Sequence, residues 1–211
     1  MSIVMEISEA LQKGRAKLIK ELVPNALAEG ISPKAILEDG LLAGMNMVGE
    51  RFRNNEVFVP EVLVAARAMN TGAELLKPAL TDAGVQTKGK VCLGTVKGDL
   101  HDIGKNLVRL MFEGKGLEVI DLGVDVAPEA FAKTAMENDC KIIACSALLT
   151  TTMPAMAEVV TAVKDAGIRN QVKIMIGGAP VTDQFCHEIG ADAYTPDAAS
   201  AAEKAIELLA E

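Results

Sequence analysis

Tryptophan is absent from this 211-residue chain, tyrosine occurs once and phenylalanine five times, so aromatics make up only 3% of it. Basic residues are outnumbered, 21 Lys and Arg against 29 Asp and Glu, for a net charge of −8 and a sequence pI near 4.9. No basic run is interleaved with aromatics, which excludes a surface built to neutralise a phosphate backbone, so no nucleic-acid partner is expected. No apolar stretch is long enough to cross a bilayer and no charged-then-apolar leader opens the chain; a soluble cytoplasmic protein with no membrane partner is the expectation. The four cysteines, Cys92, Cys140, Cys145 and Cys186, show no CxxC spacing. Three lie in or beside apolar runs, which reads as buried, reduced thiols. Histidine occurs twice, and His101 has no Cys or His companions with which to build a zinc site, which wants three or four protein ligands.

What is present falls into two halves of different texture. From Ser2 to about Ala83 apolar residues recur at helical spacing, with Val62, Ala66, Met69, Ala73 and Leu76 on one face of one helix. Ile36, Met45, Val48 and Phe52 suit the buried side of another. "EGISP" (Glu29–Pro33) breaks the pattern with a glycine, a serine cap and a proline for the next first turn, and "NNEVFVP" breaks it again before Pro60. A small bundle of about four helices is expected. "TDAGVQTKGK" is a polar, glycine-punctuated linker, which places a helical cap domain at 1–84 and an α/β domain at 88–211.

Beyond the linker come short apolar runs, "KVCLGTV", "LEVIDLG", "KIIACSAL", "VKIMIGG" and a weak "ADAY". Amphipathic segments lie between them, near 104–115, 128–138, 152–166 and 182–188, with a last one at about 197–209. Strands alternating with helices imply a parallel sheet covered on both faces. Five such units match the flavodoxin/Rossmann-like arrangement in which strands one and three are neighbours and ligands sit at the strands' carboxyl ends.

Three polar signals then converge on one crevice. "DLHDIG" follows the first strand, "SAL" (Ser146–Leu148) the third and "GGAP" (Gly177–Pro180) the fourth. His101 can supply one axial ligand to a metal already held by a macrocycle, with Asp99 accepting the other ring N–H. Gly104 permits close approach of a bulky group at a helix N-terminus. Taken without the rest of the pattern, the same residues describe an aspartate-capped helix bearing an ordinary surface histidine. The second histidine, His187, carries no partner pattern and reads as structural or surface, and Met153 and Met156 fit a helix–sheet core.

The combination resembles the cobalamin-binding signature of proteins that hold the cofactor with its own base displaced and a protein histidine on cobalt. That signature is Asp-x-His-x-x-Gly, 41 residues, Ser-x-Leu, 28 residues, Gly-Gly, in register here over Asp99–Gly104, Ser146–Leu148 and Gly177–Gly178. The stretch "GMNMVGERFRNNEVFVPEVLVAARAM" (Gly44–Met69) is similar to the helical cap of cobalamin-dependent methionine synthase and of small corrinoid proteins in methyltransferase systems. The resemblance covers nearly the whole chain and implies a free-standing methyl-carrier corrinoid protein. It implies cobalamin as cofactor and His101 as cobalt ligand. It also implies a relay of Asp99 and Thr152 behind the histidine, Thr152 standing where methionine synthase has serine. A cofactor-binding surface of Asp102, Ile103, Gly104, Ser146, Leu148 and Thr150 follows, with Gly177 and Gly178 leaving room for the nucleotide tail. Phe52 and Val59 match the cap positions over the corrin, Val59 replacing a leucine; read alone, both are bundle-core residues.

Implied partners are a substrate-specific methyltransferase, a second methyltransferase acting on tetrahydrofolate or a thiol, and a reductive activating protein. The chain itself would be a non-catalytic carrier subunit. The cobalamin subunit of a radical mutase is an alternative, although such subunits generally lack the helical cap. A cobalamin-dependent light-sensing regulator is another, but it calls for a DNA-binding head and usually a cap tryptophan. A cofactor-free module using Asp99 as a receiver-type acid would need an acidic cluster and a lysine that the pattern does not supply.

Overall fold

The computed structural model describes residues 2–210, which divide into two compact units, one up to Gln86 and one from Thr87 onward. Met1 and Glu211, the outer ends of the two expected domains, lie outside the described residues.

The first unit is helical: α1 (Ile3–Gln12), α2 (Ala16–Ala28), α3 (a continuous run over residues 33–53) and α4 (Val59–Asp82). The helices start where their sequences supply orphan N–H groups with acceptors. Ser32 Oγ accepts from the Ala35 N–H at 3.2 Å with Pro33 in the first turn of α3. At α4 the Glu61 carboxylate accepts from the Phe58 N–H at 3.0 Å and Pro60 fills the first turn. One feature was not foreseen: α3 widens into π turns over Ile36–Leu42 before returning to α geometry over Ala43–Arg53. A pattern of apolar positions does not register a turn that takes in one extra residue. Around it α1 and α3 approach closely, since a Cβ on Gly40 would lie 3.1 Å from Ile7 Cγ2 and one on Gly44 2.9 Å from the Ser8 carbonyl oxygen. Ile7, Leu11, Ile19, Ile36, Leu41 and Leu76 are fully buried in this bundle.

The second unit carries a five-stranded, all-parallel sheet in the order β2-β1-β3-β4-β5. The strands are β1 (Lys90–Thr95), β2 (Glu118–Asp121), β3 (Ile142–Ser146), β4 (Lys173–Gly177) and β5 (Ala193–Tyr194). The helices are α5 (Ile103–Gly114), α6 (Pro128–Asn138), α7 (Pro154–Asp165), α8 (Asp183–Ile189) and α9 (Ala198–Ala210). Strands β1, β3 and β4 are apolar without alternation because both their faces are covered. Helix α5 lies against α9 and α6 against α7, the pairing expected when right-handed crossovers send α5 to one face of the sheet and α6 and α7 to the other. The expected α/β architecture with a helical bundle before it is the one observed.

Register sets the functional edge. Thr95 on β1 pairs with Ser146 on β3, and Ser146 with Gly177 on β4. The three polar signals therefore leave the sheet side by side at its carboxyl end. A further bridge, Val96 to Val126, ties the loop after β2 to the same edge.

Candidate functional site

The chain leaves β1 through a tight turn, Val96 to Asp99, closed by the Asp99 N–H donating to the Val96 carbonyl at 3.1 Å. Gly98 sits at its third position with φ +82°, the left-handed geometry that a type II turn demands there. The turn drives the Asp99 side chain into the protein, where it is fully buried. Its Oδ1 accepts from the His101 N–H at 3.0 Å and lies 2.7 Å from His101 Nδ1. Its Oδ2 accepts from the Leu148 N–H at 2.8 Å, the Leu149 N–H at 3.3 Å and the Thr152 hydroxyl at 2.7 Å.

Burial alone would push the Asp99 carboxyl pKa up; the N–H groups of Leu148 and His101, the Thr152 hydroxyl and the His101 ring outweigh it and hold the group ionised, well below the usual carboxylate range. An ionised carboxylate only accepts, so Nδ1 must carry the proton of the neutral imidazole and Nε2 the lone pair. The His101 side chain is 51% exposed, and Nε2 has no hydrogen-bond partner among the described residues. A buried anion thus presents an electron-rich, accessible nitrogen, the donor that an axial metal site requires. Thr152 Oγ1 has one proton and two acceptors in reach, Asp99 Oδ2 and the Leu149 carbonyl at 2.9 Å, and the charged acceptor is the stronger.

Around the imidazole the surface is apolar. Leu100 and Ile103 are 70% and 78% exposed, and Leu148 and Leu149 are also open to solvent. Such a patch suits a large flat ring. Asp102 stands at the N-cap position of α5 without a side-chain bond to the helix N–H groups, and its carboxylate accepts from the Asn106 side chain at 3.0 Å. A Cβ on Gly104 would meet nothing within 4 Å, so the space above the α5 N-terminus is open. Thr150 is exposed and Ser146 half-buried.

The two glycines after β4 differ. A Cβ on Gly177 would come no closer than 3.7 Å to the Thr195 carbonyl, so that position does border free space. Gly178 has φ +131°, and a Cβ there would collide with the Ala147 carbonyl. Its missing side chain is demanded by the chain's own backbone at the end of β3, a reason separate from room for a ligand. Phe52, near the end of α3, and Val59, opening α4, belong to the first unit and are half-buried there.

Three groups at this edge escaped the sequence reading. Thr95, fully buried, donates its hydroxyl to the His101 carbonyl at 2.8 Å. Asp125, in the loop after β2, accepts from the Gly98 N–H. Lys105, buried in the first turn of α5, pairs with both oxygens of Asp121 at 2.5 and 2.6 Å. For Asp125 the signal was the second strand: polar residues behind "VIDLG" reach the same edge as those behind strands one, three and four.

All four cysteines are free and buried, and burial pushes the Cys145 thiol far above its ordinary pKa. Met156 is fully buried and Met153 packs against the same core. His187 is exposed, 3.2 Å from Asp183. Among the described residues no group of three or more His, Cys, Asp or Glu is arranged to hold a metal ion by itself, and no helix is long and apolar enough to cross a membrane.

Two family models, both described as B12 binding domain, match residues 89–206 and 4–77. The chain is 44% identical over 204 residues to trimethylamine corrinoid protein 1 of Methanosarcina acetivorans, covering 96% of this chain and 94% of that one. It is 42% identical over 207 residues to dimethylamine corrinoid protein 3 of the same organism, covering 98% and 97%. Its structure matches the crystal structure of the methanol:cobalamin methyltransferase complex MtaBC from Methanosarcina barkeri with a TM-score of 0.88 and 30% identity, over 99% of this chain and 80% of that one. A cobalamin-binding protein from Desulfitobacterium hafniense matches at 0.81 and 32%, over 99% and 98%. On the His101 edge, the two matched domains and these relatives together, the chain belongs to the cobalamin-binding corrinoid proteins of methyltransferase systems.

Proposed function

We propose that the chain holds cobalamin with the cofactor's own base displaced and His101 Nε2 beneath cobalt, and that it shuttles a methyl group between two methyltransferases. The first is substrate-specific; the second acts on tetrahydrofolate or a thiol, and a reductive activating protein returns inactivated carrier to the cycle. Because the curated relatives named above are trimethylamine and dimethylamine corrinoid proteins, a methylamine is the first donor to test. When bound, the cobalt corrin supplies the nucleophilic metal that accepts and releases the methyl group.

The protein's own residues set the conditions. Asp99 keeps the proton on Nδ1 and aims the ring, so Nε2 is a good donor. The Leu148 and His101 N–H groups and the Thr152 hydroxyl keep Asp99 ionised against the effect of burial, so it remains an acceptor for the Nδ1 proton. Leu100, Ile103 and Leu148 offer apolar surface, and Ser146, Thr150, Asp102, Gly104, Gly177 and Gly178 form the binding surface for the ligand and its tail.

The observation that carries this reading is the half-exposed His101 ring 2.7 Å from a fully buried Asp99. The test is electron paramagnetic resonance of the protein loaded with cobalamin and reduced to cobalt(II). Nitrogen splitting that changes when the protein, and not the cofactor, is 15N-labelled is expected, and it disappears in His101→Ala. Splitting insensitive to protein labelling would reject His101 as ligand.

A further inference from the structure

We infer that Asp125 is a positioning residue for His101, acting through the turn that carries Asp99; this rests on the proposed role of His101 as cobalt ligand. Three non-glycine residues among those described have positive φ: Asn55, Asp125 and Asp139. Asn55 and Asp139 have a local reason, each lying at or just past the C-terminal end of a helix. Asp125, with φ +53°, lies before α6 begins and caps no helix end. Its strained conformation is held by contacts with another loop instead.

Those contacts grip the histidine turn twice. The Asp125 carboxylate accepts from the Gly98 N–H at 2.7 Å, and the Asp125 N–H donates to the Asp99 carbonyl at 3.0 Å. In a type II turn the N–H of the third residue points away from the turn and finds no partner inside it. Asp125 supplies that partner. Asp99 is consequently held from both sides: its backbone by Asp125 in the loop after β2, its carboxylate by Leu148, Leu149 and Thr152 beyond β3. The left-handed φ is what lets one residue present its N–H and its carboxylate to the same turn. Asp125 makes no hydrogen bond to His101, so its influence on ligation passes through the Gly98–Asp99 turn.

Three variants separate the conformation from the hydrogen bond. Asp125→Asn keeps an acceptor and tolerates positive φ, Asp125→Gly keeps the conformation without the acceptor, and Asp125→Ala keeps neither. In the cofactor-free protein, hydrogen exchange at the Gly98 amide is expected to accelerate roughly tenfold in the Gly and Ala variants and to stay near the parent rate in the Asn variant. In the cobalt(II)-loaded protein the ratio of histidine-ligated to unligated cobalt, read from the nitrogen splitting, should fall about tenfold in Asp125→Gly and recover in Asp125→Asn. Unchanged Gly98 protection in Asp125→Gly overturns the inference, as does faster exchange with unaltered splitting. A parent protein with no protein-nitrogen splitting would defeat the reading of His101 itself, and that result is distinguishable because the amide exchange is measured without cofactor.

Discussion

The two units treat polar groups in opposite ways. Five polar or charged residues are buried among those described, and four of them, Thr95, Asp99, Lys105 and Thr152, belong to the α/β unit, all at the carboxyl edge of its sheet. The helical unit buries only Ser8 and leaves Phe58, Leu63 and Val64 largely exposed. A helix satisfies its own backbone and needs nothing from its neighbours but apolar contact. The carboxyl ends of parallel strands instead release several loops at one place, where N–H groups and side chains can converge on a single carboxylate. The α/β unit concentrates its buried, hydrogen-bonded polar groups at one edge of its sheet, beside His101, whereas the helical unit shows apolar side chains on its surface.

Substitutions that sharpen this contrast range widely in size. The largest effect is expected at Gly178, where an added Cβ collides with the Ala147 carbonyl: Gly178→Ala should cost about 3–5 kcal/mol in urea unfolding, against under about 1 kcal/mol for Gly177→Ala. Comparable losses at the two positions would show that close backbone approach at Gly178 is not limiting.

Next comes the Lys105–Asp121 pair. Burial raises the Asp121 pKa, but the Lys105 hydrogen bonds, the Gly123 N–H and the Lys105 and Arg109 charges together hold it below its ordinary value. A lowered folded pKa contributes stability that is present above the unfolded carboxylate pKa near 3.9 and is lost as pH falls through the folded one. Asp121→Asn should therefore destabilise by about 1–3 kcal/mol at pH 7, with the gap to the parent closing as pH drops below about 4. A gap independent of pH would mean the ion pair is not its source.

The smallest effect belongs to the helical unit. Leu63→Gln, on an exposed face of α4, should change stability by less than about 0.5 kcal/mol. A larger loss would break the contrast, since it would mean that this side chain is held by contacts in the folded protein.

How much of this was legible varies with the physics behind each feature. The central strands were readable because burial on both faces leaves an unbroken apolar run, and α6 was read over the same residues, 128–138, that the structure gives it. The edge strand β5, only Ala193 and Tyr194, was correspondingly faint. Asp99 and His101 could be paired from their spacing, two residues apart on a turn. Thr95, Asp125 and the Lys105–Asp121 pair could not, because their partners lie on other loops or strands. Gly178 was legible as a glycine that matters, but its steric partner, the backbone of Ala147, was not.

From the order of residues alone came the alternation of strand and helix, the helical bundle ahead of it and the glycine-flanked histidine, since periodicity and turn chemistry are local properties. Tertiary structure decided what surrounds the histidine. Leu148 and Thr152, 49 and 53 residues beyond Asp99, reach its carboxylate only because β1 and β3 pair in parallel, and Asp125 reaches Gly98 only because β2 flanks β1 on the other side. A hydrogen bond forms or fails within a few tenths of an ångström, a tolerance that strand order and register meet and that spacing along a chain does not specify.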